Sequence, residues 1–321
     1  MACGESSVLI VYRLMLVNTE RFQRALCSLQ GLAVGDAFGS LFTWYDESDL
    51  PDQVRERRIP DDPWEYSDDT MMALSIVENL RDHDGIDQDA LAASFAEHYQ
   101  PGRGYGPAMH RLLTEIYDGA SWRKAAPALF DGQGSYGNGA AMRVAPLGAY
   151  FADDLALAAR HAALSALVTH CHKEAAAGAI AVAIATALAW RAAQEEQRPS
   201  RAELIDAILP FLPECEVREN VVKARDLPAG TTVPQAVAVL GNGGYVTVQD
   251  TVPIALWSAG EHLDDFETAM WKTLCALGDI DTNCAIVGGI VASYTGLAGI
   301  PKNWLLECEP IPEWVLSPDA G

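Results

Sequence analysis

Apolar residues recur along most of the chain at the three- and four-residue spacing of amphipathic helices. This spacing predicts helices over residues 21–38, 70–80, 89–99, 108–117, 153–168, 174–197, 201–209, 233–240, 251–259, 264–277 and 282–296. The sequence has no alternating strands arranged as βαβ units, no repeat of fixed period and no low-complexity linker. It therefore predicts an all-α fold, one compact, orthogonal multi-helix domain over residues 20–321, preceded by a poorly ordered leader over residues 1–19.

Six segments rich in glycine and polar residues are predicted as loops between these helices, where function tends to concentrate. They are GLAVGDAFGS (31–40), GRGYGP (102–107), DGQGSYGNGAAMR (131–143), VTHCHKE (168–174), GNGGYVTVQD (241–250) and LGDIDTN (277–283). Three of them, 131–143, 168–174 and 277–283, together with residues 67–70, carry the candidate chemistry.

The charge balance limits the possible ligands. The chain of 321 residues has a net charge of −22, and its Lys and Arg residues are scattered apart from RERR at 55–58. An extensive nucleic-acid surface is therefore not expected, because binding a phosphate backbone needs clustered cations. An anionic ligand would need a local attraction, which a metal ion would supply.

The seven cysteines show no CxxC pair, which favours reduced thiols in a cytoplasmic protein. No apolar run is as long as a membrane span without charges or helix breakers, so we expect no membrane partner. We also expect a monomer.

Carboxylates and hydroxyls crowd the start of two predicted helices. Ser67, Asp68, Asp69 and Thr70 precede the first apolar run, and GDIDT at 278–282 precedes the second. Either cluster alone is most simply a helix cap. Because adjacent carboxylates repel, the two clusters together favour a divalent cation, and hard oxygen ligands suit Mg²⁺, Mn²⁺ or Ca²⁺. If the two helix starts meet in space, they would hold two ions.

The glycines of GSYGNG, residues 134–139, allow two interpretations. They would form a tight turn before a helix, or they would present backbone N–H groups to a phosphate. Tyr136 would stack on a base or ribose, or it would simply pack. His170 and His172 lack partners at zinc spacing, so they are more simply hydrogen-bonding histidines before a helix.

Five segments, taken in order, resemble one known family, the ADP-ribosylglycohydrolases or dinuclear-magnesium ADP-ribosylhydrolases. The segments are GLAVGDAFGS, YSDDTMMAL, GSYGNGAAMRVAPLG, THCHKEAAAGAIAVA and LGDIDTNCAIVGGIVASYTGLAGIP, and the resemblance covers about residues 26–304. The wording of SYGNG and RGYG (103–106) is most similar to the branch that acts on serine-linked and other O-linked ADP-ribose. The arginine-directed branch is less similar.

The resemblance implies an all-α fold, a site for two Mg²⁺ ions (Mn²⁺ possible) and cleavage of the bond between ADP-ribose and an acceptor. The implied metal ligands are Ser67, Asp68, Asp69, Asp279, Asp281 and Thr282. The implied ligand-binding residues are Gly134, Ser135, Tyr136, Gly137, Asn138, Gly139 and His170. Asp68, Asp69 or Asp281 would accept a proton from water in the reaction. The expected partner is ADP-ribose, or an ADP-ribosylated protein or small molecule.

Two positions depart from the family pattern. Thr43 stands where a glutamate usually follows the first motif, and Asn283 stands where an apolar residue is usual. Asp46, Glu47 or Asp49 would replace the glutamate if the loop is rearranged. The alternatives to a hydrolase of ADP-ribosyl bonds are an ADP-ribose-binding protein with little turnover, a Mg²⁺-dependent hydrolase of other small molecules, or a structural protein with capped helices.

Overall fold

The helical prediction is confirmed in a computed structural model that describes residues 4–43, 54 and 56–317. The α-helices in this part of the chain are α1 Gly4–Ser40, α2 Asp68–His83, α3 Gln88–Glu97, α4 Pro107–Tyr117, α5 Trp122–Gly132, α6 Ala145–Tyr150, α7 Leu155–Leu167, α8 Lys173–Gln194, α9 Arg201–Ile208, α10 Glu216–Asp226, α11 Val233–Leu240, α12 Val248–Glu261, α13 Phe266–Leu274, α14 Ile280–Thr295, α15 Lys302–Glu307 and α16 Glu313–Leu316. Four short 3-10 turns add Pro101–Arg103, Asn138–Ala140, Leu209–Phe211 and Leu297–Gly299. The only β-structure in the described residues is two isolated β-bridges, and none of these residues forms a β-strand.

Each predicted helix has a counterpart, but the pattern missed α5, α6, α10, α15 and α16. Pro127 lies inside α5, α10 is mostly polar, and the other three have six residues or fewer. The prediction that GLAVGDAFGS is a loop is wrong, because these residues are the last turns of α1. The backbone is helical from Gly4 onward, and the separation of a leader at residues 1–19 from the domain stays a prediction.

Close contact between α1 and α14 is the feature of the fold that builds the site. Gly31, Gly35 and Gly39 lie four residues apart and form one face of α1. A Cβ atom on Gly35 would lie 2.2 Å from the carbonyl oxygen of Cys284, and one on Gly39 would lie 2.6 Å from the Cα atom of Asp281. Only glycine permits this approach. The glycine face therefore brings the end of α1 against the start of α14.

The alanine-rich helix α8 forms the centre of the core. It packs against α6, α7, α12 and α14, and a Cβ atom on Gly148 of α6 would lie 2.1 Å from the carbonyl oxygen of Ala183. By length and composition α8 would suffice to cross a membrane, which the sequence analysis did not expect. Buried core helices pass the same test, and 67% of its apolar window is buried inside the protein.

Candidate metal and ligand site

The start of α2 is fixed by Asp36, a fully buried carboxylate near the end of α1. Its oxygens accept hydrogen bonds from the backbone N–H of Ser67 at 3.0 and 3.1 Å and from that of Thr70 at 3.0 Å. The Thr70 hydroxyl donates to Asp36 at 2.6 Å, and that of Ser40 lies 3.4 Å away. Sequence reasoning did not select Asp36. The sequence feature that could have pointed to Asp36 is a charged residue inside an otherwise apolar stretch of helix.

Ser67 is the N-cap of α2, so the cap interpretation of this residue has a structural basis. Its hydroxyl accepts from the backbone N–H of Asp69 at 3.2 Å and donates to the Asp69 Oδ2 atom at 2.9 Å. The Oδ1 atom of Asp69 is buried and has no hydrogen-bond partner. A buried carboxylate oxygen without a donor is costly, so a cap does not account for Asp69.

The start of α14 is built differently. Asp279 occupies the N-cap position but its side chain makes no capping hydrogen bond. Instead, its Oδ2 atom accepts from the side-chain amide of Asn138 at 2.6 Å, and that amide also donates to Thr251. The Asp281 Oδ1 atom accepts from the backbone N–H of Thr282 at 3.0 Å. The second oxygen cluster is therefore linked to the glycine loop.

The two helix starts meet, as the sequence analysis required for a metal site. One carboxylate oxygen from each of Asp36, Asp69 and Asp281 lies within 4.8 Å of the other two. Burial and the charge of Asp281 raise the pKa of Asp36 to about 7, and the same two causes raise the pKa of Asp279 to about 7. Burial, followed by the neighbouring carboxylates, also raises the pKa values of Asp68 and Asp69 well above their usual range.

This cluster fits a hard divalent cation. Closely spaced, poorly solvated carboxylates repel one another, and a bound cation would offset this repulsion. It would also give the Asp69 Oδ1 atom, which has no hydrogen-bond partner, an electrostatic partner. The oxygens of Asp36 already accept several hydrogen bonds, so Asp36 serves as an anchor for the ligand-bearing turn. Asp69 and Asp281, the other two members of the cluster, are placed to hold the ion, and the roles of Ser67, Asp68, Asp279 and Thr282 as ligands stay predictions.

The glycine loop, Gly134–Gly139, lies against a second loop, Gly241–Asp250. The backbone N–H of Asn138 donates to the carbonyl of Val246 at 3.2 Å, and that of Val248 donates to the carbonyl of Tyr136 at 3.0 Å. Within the glycine loop, the N–H of Gly137 donates to the Ser135 hydroxyl at 3.1 Å. These hydrogen bonds fix the backbone of the glycine loop.

The Gly241–Asp250 loop was not assigned a role from sequence. Asp250 holds it, because its carboxylate accepts from the backbone N–H groups of Asn242 and Tyr245 at 3.2 and 3.0 Å. Val246 adopts φ of +57°, a left-handed conformation that a β-branched residue rarely adopts. Such strain clusters at functional sites, and here it orients the carbonyl that accepts from Asn138.

His170 and His172 have separate roles. His172 caps α8, accepting from the backbone N–H of Glu174 at 3.3 Å. His170 is buried beneath the glycine loop, where a Cβ atom on Gly139 would lie 2.8 Å from its Nε2 atom. Its Nδ1 atom lies 2.7 Å from the Thr169 hydroxyl. Neither histidine is among the described residues that form the carboxylate cluster.

Comparison with known proteins identifies the family. A family model described as ADP-ribosylglycohydrolase matches residues 17–317 of this chain. The chain belongs to the ADP-ribosylglycohydrolase family. The resemblance seen in the sequence is thus confirmed, and with it the class of enzyme, a glycosidase that acts on ADP-ribose.

Individual relatives of this ADP-ribosylglycohydrolase cover most of its length. ADP-ribosylhydrolase ARH3 of Homo sapiens is 27% identical and covers 88% of each chain. An uncharacterised protein of Archaeoglobus fulgidus is 31% identical over 89% of this chain and 90% of its own. ADP-ribosylarginine hydrolase Tri1 of Pseudomonas putida is 24% identical, over 90% of this chain and 75% of its own. A solved ADP-ribosylglycohydrolase-related protein complex matches this chain with a TM-score of 0.62 at 25% identity. The match covers 93% of this chain and 96% of the solved chain.

The two departures from the family pattern occupy distinct places in this ADP-ribosylglycohydrolase. Thr43 lines a cleft of about 590 Å³ together with Ser67 and Asp281, and Asp62 and Glu65 lie on the same cleft. The possible replacements Asp46, Glu47 and Asp49 lie outside the described residues. Because Asp281 belongs to both, the cleft borders the carboxylate cluster, and Thr43 lies on the same cleft.

Asn283, the second departure, is fully buried on α14 and links that helix to the Gly241–Asp250 loop. Its side-chain amide donates to the carbonyl of Asn242 at 2.7 Å. The backbone N–H of Asp279 donates to the same carbonyl at 3.3 Å. The polar residue therefore fixes the loop that contacts Asn138, a function that an apolar side chain cannot perform.

The fold brings the predicted site residues together in two adjoining groups. Ser67, Asp68, Asp69, Asp279, Asp281 and Thr282 occupy the two helix starts, and Gly134, Ser135, Tyr136, Gly137, Asn138, Gly139 and His170 form the loop beside them. Their roles in metal and ligand binding stay predictions.

Proposed function

We propose that this chain is a Mg²⁺-dependent hydrolase that cleaves the glycosidic bond between ADP-ribose and an O-linked acceptor, with serine favoured over arginine. The observation that carries the proposal is the partnerless, buried Oδ1 atom of Asp69 among the carboxylates of two helix starts. The site adjoins a rigid glycine turn through the contact between Asn138 and Asp279. A cation site beside a turn of this kind suits an anionic sugar nucleotide.

The carboxylates would perform two tasks. Two bound Mg²⁺ ions, or Mn²⁺, would lower the pKa of a water molecule and hold the ribose hydroxyls. The protein residues orient these groups: Asp36 fixes the turn that carries Asp68 and Asp69, and Asn138 fixes Asp279. As the bond from the ribosyl C1 atom to the acceptor oxygen breaks through an oxocarbenium-like state, water forms the new bond to C1 and Asp68, Asp69 or Asp281 accepts its proton, which is then passed to the departing acceptor oxygen.

The surface beyond the glycine loop offers a place for a base. Tyr136 is 40% exposed and Phe130 is 55% exposed, and their ring centroids lie 6.5 Å apart. Phe130 and Asp131 both have positive φ, +52° and +57°, which turns the chain outward at this point. Exposed aromatic faces next to a phosphate-binding turn would stack on the adenine of ADP-ribose.

The choice of linkage is supported by sequence similarity rather than by a contact. The chain is 27% identical to human ARH3 and 24% identical to the arginine hydrolase Tri1. The wording of SYGNG and RGYG points in the same direction. A cytoplasmic location and a monomeric state belong to the same proposal.

The experiment is hydrolysis of serine-linked and arginine-linked ADP-ribosyl peptides by the purified chain, with Mg²⁺ and with excess chelator. The expected result is release of ADP-ribose from the serine-linked peptide, abolished by the chelator and restored by Mg²⁺. Hydrolysis that survives excess chelator would overturn the metal dependence, and faster release from arginine would overturn the linkage.

A second candidate function is ADP-ribose binding with little hydrolysis. It is favoured by Thr43, which puts a hydroxyl in the cleft beside Ser67 and Asp281, at the position where the family pattern usually has a glutamate. In that case calorimetry would detect ADP-ribose binding while neither peptide is cleaved. Thr43→Glu would then restore cleavage, because it places a carboxylate in the cleft, whereas Thr43→Gln, its uncharged match, would not.

A further inference from the structure

Arg143 is a fully buried cation that the proposed chemistry does not use. Its guanidinium donates to the carbonyl of Ser165 at 3.0 Å and to the Thr169 hydroxyl at 2.9 Å. It also lies over the ring of Phe95, 4.5 Å from the centroid. Among the described residues no carboxylate forms an ion pair with it. Such a costly arrangement calls for a role beyond packing.

The contacts of Arg143 determine where the proton of the Thr169 hydroxyl lies. A guanidinium has only donors, so the Thr169 oxygen accepts from Arg143. The hydroxyl proton then needs its own acceptor, and the Nδ1 atom of His170 lies 2.7 Å away. The opposite assignment would leave a buried hydroxyl proton without an acceptor, which costs about 1–3 kcal/mol.

A neutral imidazole whose Nδ1 atom accepts a hydrogen bond carries its proton on Nε2. Burial, followed by the charge of Arg143, lowers the pKa of His170 to about 3, so the ring is neutral. The Nε2 atom lies beneath the glycine loop, 2.8 Å from where a Cβ atom on Gly139 would be and 3.4 Å from one on Gly137. No described residue accepts a hydrogen bond from it.

We propose that Arg143 and Thr169 are positioning residues that hold His170 with its proton on Nε2, so that His170 donates to an acceptor oxygen of the bound ligand. The proposal rests on the function proposed above, in which the glycine loop holds the diphosphate and ribose. Both of these present acceptor oxygens. A neutral donor attracts them without adding a charge, and it keeps the same proton across the working pH range.

The first test is the position of the proton. Long-range ¹H–¹⁵N correlation spectra distinguish the two tautomers, and the His170 signals are those missing from His170→Gln. The wild-type ring should be almost entirely in the Nε2–H form. Thr169→Val should shift the ring towards the Nδ1–H form, and Thr169→Ser should restore the wild-type spectrum. A wild-type ring with its proton on Nδ1 overturns the proposal, even if the variants fail to fold.

The second test is calorimetric titration of ADP-ribose in the presence of Mg²⁺. We expect Thr169→Val to weaken binding about five- to tenfold, the size of one net hydrogen bond, and Thr169→Ser to stay within about twofold. Thr186→Val is the matched control, because Thr186 is also a buried hydroxyl, bonded to the carbonyl of Val182 in α8. Equal losses in both valine variants would overturn the positioning role.

The two tests separate this inference from the proposed function. A wild-type protein that fails to bind ADP-ribose contradicts the proposed function and the donation to a ligand oxygen. The spectra still decide the proton position in that case. Binding that is unaffected by a measured change of tautomer contradicts the inference alone.

Discussion

The starts of α2 and α14 carry similar sequences but are held by different contacts. At α2, Ser67 caps the helix and Asp36 anchors the turn from within the core. At α14, the side chain of Asp279 makes no capping hydrogen bond, and its carboxylate instead accepts a hydrogen bond from Asn138 of the glycine loop. The first half of the cluster is thus held from within the core by α1, whereas the second is held by the glycine loop. This difference predicts that metal binding and ligand binding are coupled through α14.

Removal of a carboxylate from α14 should have the largest effect on activity. Asp281→Ala should reduce hydrolysis more than about 100-fold, since even residues that only orient metal ligands contribute about 10–100-fold. Its helical circular dichroism should remain that of the wild type, because the hydrogen bond that the Asp281 carboxylate accepts from the described backbone comes from its own neighbour, the N–H of Thr282. Asp264→Ala, which removes a surface carboxylate paired with Arg198, is the control and should retain activity. Global unfolding of Asp281→Ala would assign Asp281 a structural role.

Substitution of Asp36 should lower the free energy of unfolding, whereas substitution of Asp281 should not. In chelator at pH 8, where Asp36 is mostly ionised, Asp36→Asn should lower the free energy of unfolding by about 3 kcal/mol, because it disturbs charge-assisted hydrogen bonds from Ser67 and Thr70. Asp281→Asn should leave it unchanged or raise it, because that change removes repulsion. Denaturant unfolding of both variants checks the comparison. Equal destabilisation would show that the two helix starts are held in the same way.

Asn138 should transmit the state of the glycine loop to the metal ligands. Asn138→Ala removes the amide that donates to Asp279, so the affinity for Mg²⁺ measured without ADP-ribose should fall about tenfold. The matched control is Gln88→Ala, since that side-chain amide donates to the carbonyl of Leu164, away from both helix starts and the glycine loop. Unchanged Mg²⁺ affinity in Asn138→Ala would contradict coupling through α14.

The metal-free protein should become less stable as the pH rises. Burial and the charge of Asp281 raise the pKa values of Asp36 and Asp279 to about 7, so the folded state binds more protons than the unfolded state. The stabilisation that these two groups contribute is therefore fully present below their unfolded pKa of about 4 and is lost as the pH rises through about 7. In chelator the melting temperature should fall by roughly 5 °C between pH 5 and pH 8.

Saturating Mg²⁺ is the control for this pH dependence, because the cation stabilises the ionised carboxylates and should remove or reverse the fall. A metal-free protein whose melting temperature rises between pH 5 and pH 8 would contradict the view that the carboxylates repel one another. The same scan on Asp281→Asn should show a smaller fall, since one charge of the cluster is absent.

The sequence predicted the helices and both oxygen clusters because these features are local. A helix needs only periodic apolar residues, and YSDDT and GDIDT are visible as short patterns. The resemblance to a family then implied that both clusters belong to one metal site. Asp36 was missed because it lies inside the apolar pattern of α1, in a segment interpreted as a loop.

Long-range pairing could not be predicted from the sequence. The contact of Asn138 with Asp279 joins residues 141 positions apart, and the contact of Asn138 with Val246 crosses a similar distance. Neither leaves a local signal. The departure at Asn283 was visible in the sequence. Its role was not, because that role depends on a hydrogen bond to the carbonyl of Asn242 that forms only in the folded chain.

The most direct test of the central claim is anomalous diffraction from crystals grown with Mn²⁺ and ADP-ribose. The account predicts two manganese peaks between the start of α2 and the start of α14, bound by Asp68, Asp69, Asp279 and Asp281. It also predicts that the diphosphate lies against Gly134–Gly139. Crystals that contain ADP-ribose at the glycine loop but no manganese between the two helix starts would contradict the account.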